Sequence, residues 1–326
     1  MRRILYALLA LVFCLAALAS CGKGDVDETN KNVNGENTET DEGGKDHTAE
    51  NESYVRIDAE GNPDADGAYI LFGEYPQTLK AEDVDITETV DDRGYYLGAD
   101  GAYYAKVIAT PYEDGYAFGT GAEIVTERAY YFKVEPIRWR ILSEEGNTAR
   151  LLCDSIVANK AFDDDSNSYA GSDLRAWLNG EFYSTAFDSL EQAIIQTVTV
   201  DNSAPTTGDT ASADWMENGN ACEDTRDKIF LPSYEDVTNT DFGFSSSESD
   251  QNMARRWSVS DYALATGARM KRIDTFYLNG FCWLRSPYYA LESHARIIDG
   301  YGVIYIGSNV SGVHIGVVPM MEISLK

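Results

Sequence analysis

Phe281-Cys282-Trp283-Leu284-Arg285-Ser286-Pro287-Tyr288 is the stretch on which the fold turns. An apolar run that carries one arginine and stops at Ser-Pro reads as a buried strand closed by a fixed turn. Downstream, residues 295–298 and 301–306 flank Asp299-Gly300 as a hairpin, with Ile304 and Ile306 on one face and Tyr301 and Tyr305 on the other. Val313, Ile315 and Val317 share the next inward face, opposite His314, and the run closes on Gly316-Val317-Val318-Pro319. Side chains alternate across a strand, so Tyr301, Tyr305 and His314 are expected outward. Tyr288 and Tyr289 follow Pro287 and are expected on an adjoining loop. Clustered exposed rings of this kind are candidate ligand contacts.

Upstream, the pattern is strands, then helices, then the strands just described. Residues 68–72 read as a strand, and the Asp100-Gly101 turn joins two Tyr-rich strand segments. Ile137, Trp139 and Ile141 alternate with Arg138 and Arg140, which predicts a half-buried strand with residues 147–153 as its hairpin partner. Leu174, Trp177 and Leu178 lie at helical spacing behind Ser172, and Asp188-Ser189-Leu190-Glu191 has capping-box spacing before Ala193, Ile194 and Val198. Residues 201–227 read as a polar loop, and Ser260-Asp261-Tyr262-Ala263 opens a short helix. The expected class is α+β, with mixed, mainly antiparallel sheets and two or three short helices.

The first residues have a different role. Arg2 and Arg3 precede an apolar run over 4–19, too short for a comfortable membrane span, and residues 1–20 read as a signal peptide. Leu18-Ala19-Ser20-Cys21 has the pattern of a bacterial lipobox, which makes Cys21 the expected lipidation site. Residues 21–66 are expected to be an acidic, disordered tether and 67–326 a single globular domain. The predicted place is the outer face of the bacterial cytoplasmic membrane, held by the lipid.

The formal net charge is −28. Such a field repels nucleic acid and anionic lipid and favours neutral or cationic partners. Against it, Arg255, Arg256, Arg269, Lys271 and Arg272 form a local basic cluster, expected mainly to neutralise neighbouring carboxylates, with an anion site as the alternative. Five cysteines include Cys14 and Cys21, so Cys153, Cys222 and Cys282 permit at most one disulfide. No paired CxxC, HExxH, GxSxG or phosphate loop occurs, and only His294 and His314 lie in the domain. No cofactor is expected. Residues 58–67 place oxygen ligands at alternate positions, but the twelfth-position carboxylate of a calcium loop is missing, which favours a polar turn.

Together, several landmarks resemble an uncharacterised domain of Gram-positive bacterial surface proteins: Phe72-Gly73-Glu74-Tyr75-Pro76-Gln77, Pro136-Ile137-Arg138-Trp139, Ser172-Asp173-Leu174-Arg175-Ala176-Trp177-Leu178-Asn179, Lys228-Ile229-Phe230-Leu231-Pro232-Ser233, Ser260-Asp261-Tyr262-Ala263 and Trp283-Leu284-Arg285-Ser286-Pro287. The order of the last landmark and the hairpins after it also resembles C-type-lectin-like folds, including the branch with formylglycine-generating enzymes. Cys282 stands where the resembled family usually has an aromatic, and Val318 where it has an arginine. The expectation is a non-catalytic binding module for a glycan or peptide, with Tyr288, Tyr289, Tyr301, Tyr305 and His314 as ligand contacts. A spacer domain, or a carboxylate-based hydrolase, is the alternative.

Overall fold

A computed structural model describes residues 53–208, 220–272 and 278–325. Its first half lays down β1 (Val55–Ile57), β2 (Tyr69–Leu79), β3 (Ile86–Val90), β4 (Tyr96–Gly98), β5 (Tyr103–Ile108), β6 (Ala129–Glu145) and β7 (Thr148–Cys153). The larger sheet runs Ile229–Phe230, Met320–Ser324, β7, β6, β5, β4, β3, with β2 paired to both β1 and β6. The strand β6 is long because it serves three partners: β2, β5 and β7. Ile137 and Trp139 are fully buried, as their alternation requires, and the Trp139 indole N–H donates to the Phe72 carbonyl at 2.8 Å. Beyond them the parity slips at a bulge between Ile141 and Ser143, so Leu142 is buried in place of Ile141.

Cys282–Pro287 lies inside the second, five-stranded sheet, and all six of its residues are buried. Its neighbours are His294–Ile298, antiparallel, and Gly316–Val317, parallel; Ile304–Asn309 and Ala158–Asn159 form the edges. The Asp299 turn closes the first hairpin, its carboxylate accepting from the N–H groups of Tyr301 and Val303 at 2.9 and 3.1 Å. A second hairpin does not form. Residues 310–315 return to pair Gly316 with Cys282, and after Pro319 the chain leaves this sheet to join β7 in the other. Both sheets share one core, in which Trp139 and Trp283 are the largest fully buried side chains.

The fold class is α+β, with mainly antiparallel sheets and short helices. Among the described residues the longest helical run spans residues 173–186, where a π-helical turn, Leu178–Phe182, joins Asp173–Trp177 to Tyr183–Ala186. The other α-helices among the described residues have six residues or fewer, so their local stability rests on caps more than on length. Ser172 accepts the Arg175 N–H at 3.2 Å, and Asp188 with Glu191 completes the expected capping box. The second carboxylate oxygen of Glu191 takes the Gly73 N–H at 2.9 Å. Gly73 sits at φ +68°, and a Cβ there would meet the Phe187 ring at 2.5 Å, so glycine is required. The Ser189–Ile194 helix is shorter than its apolar spacing implied. Leu190 is exposed, and Val198 belongs to a strand, Val198–Val200, paired with Thr225–Asp227.

Two arginines tie distant segments together. Arg285 donates to Leu231 O and to Asp236 Oδ2, both at 2.7 Å, while its own N–H reaches Pro232 O at 2.9 Å. Burial pushes the Asp236 carboxyl up, but Arg285, the Ser233 N–H and Arg150 together hold it below its ordinary value. Arg255 is fully buried and donates all five N–H groups to carbonyls: Gly302 at 2.9 Å, Val237 at 3.3 Å, Ser245 at 3.2 Å, Ser247 at 2.8 Å and Asp250 at 3.0 Å. A guanidinium at the centre of a carbonyl cage thus organises the loop after the Tyr234–Thr238 helix.

The boundary of the folded part differs from expectation. Residues 55–66, assigned to the tether, include β1, whose Ile57 pairs with Tyr69, and Arg56 bonds Glu144 at 2.8 Å. Pairing on β2 gives those residues backbone partners despite their polar composition. The signal peptide, Cys21 and the tether up to Glu52 lie outside the described residues. No helix among the described residues is long and apolar enough to cross a membrane.

Candidate functional site

Two segments, residues 110–124 and the ribbon 269–272 with 278–281, each contribute to both parts of a two-part surface. They are locked together through the Tyr116 hydroxyl, which donates to Met270 O at 3.1 Å and accepts from Met270 N–H at 3.2 Å. The ribbon is held by a bridge between Met270 and Gly280 and by Lys271 N–H on Asn279 O at 2.8 Å.

The first part is a cleft of about 360 Å³ lined by Gln77, Thr120, Ser155, Ser258 and Ser260, with Val259 and Leu278 among its apolar lining. Volumes of this order suit a small ligand or one sugar unit of a longer one. Among the described residues Asp261 brings the cleft's only carboxylate, and it is committed: its oxygens accept from Gly119 N–H at 2.7 Å and Leu79 N–H at 3.0 Å. Ser260 caps the Asp261–Ala265 helix, accepting from Ala263 N–H at 3.1 Å. Gln77 donates to the carbonyls of Glu135 and Pro136, both at 3.0 Å. The cleft therefore offers chiefly hydroxyl groups, without a free carboxylate or imidazole among the described residues. Leu278, at φ +70°, holds a left-handed conformation rare for leucine.

The second part is a ridge of rings and cations. The Arg269 guanidinium lies 5.6 Å from the Tyr112 ring centroid and 4.2 Å from that of Phe281. Lys271 Nζ follows, 5.1 Å from Phe281 and 4.2 Å from Tyr301. At the other end the His314 and Tyr112 rings are 4.8 Å apart. The basic cluster thus differs from expectation. Arg255 and Arg256 donate to carbonyls, as does Arg272, which also lies 3.8 Å from Glu113, and Lys271 lies 4.0 Å from Asp299. Among the described residues the Arg269 guanidinium lies against rings only, with no carboxylate within 4 Å of it.

The five ring residues expected to form one site are divided. Tyr301 and His314 are half-buried members of the ridge. Tyr288 and Tyr289 are half-buried, edge to face at 5.1 Å, on the loop past Pro287, with the Tyr288 carbonyl accepting from the Asn167 and Asn220 amides. Tyr305 is 54% exposed on Ile304–Asn309. Ile306 and Val313, expected inward, are also exposed: a bulge between Ala295 and Ile297 resets the parity, and Val313 sits in a turn rather than a strand. Sequence reasoning missed Tyr112 and Phe281, which become ridge members only when distant segments meet. Of the loop at 201–227, residues 209–219 lie outside the described residues, and Asn202 and Asp227 are buried.

The three remaining cysteines are free thiols, and burial pushes the Cys153 thiol up to about 12. Cys282, also buried, is raised further, so neither is an activated nucleophile. Among the described residues no group of three His, Cys, Asp or Glu side chains is placed to hold a metal. At 58–67 the Asp58 carboxylate accepts from the Asn62 backbone at 2.8 Å and its amide at 3.0 Å, which closes a turn.

A family described as a domain of unknown function, DUF6273, matches residues 146–325. The chain belongs to that family. No curated protein and no solved structure matches it. The DUF6273 match begins at Gly146, the turn between β6 and β7, so β1 to β6 lie outside it yet complete the larger sheet. The two-part surface crosses that limit, with residues 110–124 outside the DUF6273 match and the ribbon inside it.

Proposed function

We propose that the chain is a membrane-anchored surface lipoprotein of a Gram-positive bacterium, lipidated at Cys21, whose folded part is a non-catalytic module for a hydroxyl-rich ligand, a glycan. The observation that carries the reading is the cleft: neutral polar side chains over an apolar floor, with the one carboxylate among its described residues already bonded to two backbone N–H groups. Hydrogen-bonding groups without a free acid–base pair suit recognition of hydroxyls, whereas glycoside hydrolysis requires two available carboxyl groups. The resemblance of the C-terminal strands to C-type-lectin-like folds agrees with this reading at the level of fold only.

The test is a glycan array read with the wild type and with Ser258→Phe. Ser258 is exposed on its strand and lines the cleft, so the new ring fills the cleft without entering the core. Binding that is lost in this folded variant supports the site; unchanged binding places recognition elsewhere. For the anchor, Cys21→Ala should move the protein out of the membrane fraction, and unchanged mature mass and membrane recovery would end that part of the proposal.

A further inference from the structure

The ridge carries chemistry that the cleft lacks. Arg269 is the exposed cation of the ribbon whose polar donors are not already taken up by carbonyls or a carboxylate among the described residues. Its backbone is fixed on both sides, by Arg269 N–H on His314 O at 2.9 Å and Phe281 N–H on Arg269 O at 3.3 Å. Its head is held against the rings of Tyr112 and Phe281. A guanidinium stacked on rings loses little further freedom when its planar fork meets a ligand. Planar bidentate donors match a carboxylate.

We propose that Arg269 is a subsite for the single carboxylate of an acidic sugar, of the uronic-acid class, within a glycan. The proposal rests on the reading of the protein as a glycan-binding module and specifies its ligand. Three observations select this class. Residues 110–124 give Thr120 to the hydroxyl-lined cleft and Tyr112 to the ridge, and the ribbon gives Leu278 to the cleft and Arg269 and Phe281 to the ridge. The two parts are thus joined through shared segments, which favours a sugar over a peptide terminus. Glu113 and Asp114 are exposed beside Tyr112, and Asp299 lies at Lys271, so charge beyond one carboxylate meets repulsion. The chain's net charge of −28 excludes a polyanion for the same reason. The overall acidic field, which by itself favours neutral or cationic partners, is thus reversed locally at one guanidinium.

Calorimetric titration of the purified full chain with methyl β-glucuronide and methyl β-glucoside tests the proposal, with an acetylated dipeptide bearing a free carboxyl terminus as a third probe. The glucuronide should bind about tenfold more tightly than the glucoside, equivalent to about 1.4 kcal/mol. The difference should shrink at high salt. Arg269→Gln should abolish the preference, the glucuronide affinity falling to that of the glucoside, while Arg269→Lys should restore part of it. Equal affinity of the wild type for both sugars overturns the carboxylate subsite, and the glycan reading then stands if Ser258→Phe still removes glucoside binding. A dipeptide that binds as tightly as the glucuronide overturns the choice of a sugar. Failure of both sugars to bind at millimolar concentration overturns the subsite together with the glycan reading.

Discussion

Replacing Arg255 by methionine keeps most of the apolar stem and removes five donors from a carbonyl cage. Two of its bonds, to Gly302 O at 2.9 Å and Val237 O at 3.3 Å, are fully buried, and three, to Ser245, Ser247 and Asp250, are partly exposed. Carbonyls at the partly exposed positions can turn to water, so their loss is small. Each buried acceptor left without a donor costs about 1–3 kcal/mol. The two together, with some loss of order in the 239–252 loop, give an expected destabilisation of about 3–5 kcal/mol, a large share of a total near 5–15 kcal/mol. At about 3 kcal/mol per M urea, the midpoint should fall by about 1–1.7 M with little change in slope. Limited proteolysis should cut within residues 239–252 before the rest of the chain. Arg255→Lys retains the charge with at most three donors and should fall between wild type and Arg255→Met. If Arg255→Met unfolds within about 0.3 M of the wild type and resists proteolysis equally, the cage does not hold the loop and the reasoning fails.

Arg285→Met leaves the Asp236 carboxylate in a buried site and should cost about 3–5 kcal/mol, measured by urea unfolding near pH 7. Because the Asp236 carboxyl is held below its ordinary value, its contribution is present above the unfolded value near 3.8 and is lost as pH falls through the lower folded one. The stability gap between wild type and Asp236→Asn should therefore be constant from pH 7 to about 5 and close below about pH 4; a gap that instead widens on acidification would reverse the assignment. Trp177, whose helical spacing with Leu174 and Leu178 implies an inward position, is half-buried, with its indole N–H buried and unpartnered among the described residues. Trp177→Ala should thus cost about 1–3 kcal/mol rather than the usual core figure, and Trp177→Phe less than about 1 kcal/mol, read as melting shifts of about 2–4 °C per kcal/mol.

Where the pattern is local, the fold was legible. The Asp100-Gly101 turn, the long strand around Trp139, the Ser172 and Asp188 caps and the buried Cys282–Pro287 strand each follow from residues within a few positions of one another. The errors arise where alternation was carried across an interruption. The bulges at Ile141 and opposite Ile306, and the turn holding Val313, reverse inside and outside, and a period-two pattern carries no mark of them. The departure of Met320–Ser324 into the other sheet is likewise set by what the strand packs on, through its pairing with β7 and Ile229–Phe230. Much less of the candidate surface could be read in advance. Tyr112 and Phe281 are far apart in the chain and meet only on the Arg269 side chain, so no spacing rule joins them.

The landmarks that carry the family resemblance explain why the fold was easier to read than the function. Their polar groups are bonded to the chain itself. The Trp139 indole bonds Phe72 O, Arg175 pairs with Asp227 at 2.7 Å, and the Asn179 amide donates to Ile229 O at 2.8 Å. Ser286 Oγ accepts from Tyr234 N–H at 2.8 Å, Arg285 joins Leu231 to Asp236, and Gln77 reaches two carbonyls. Groups so committed specify one arrangement of buried backbone and leave few donors or acceptors for a ligand. A ligand must instead meet side chains whose donors remain available, such as Ser258 in the cleft and Arg269 on the ridge, and neither belongs to a landmark. Substitutions in the landmarks should therefore lower stability and binding together. Substitutions at Ser258 and Arg269 should change binding alone, and it is this separation that distinguishes a binding module from a passive spacer.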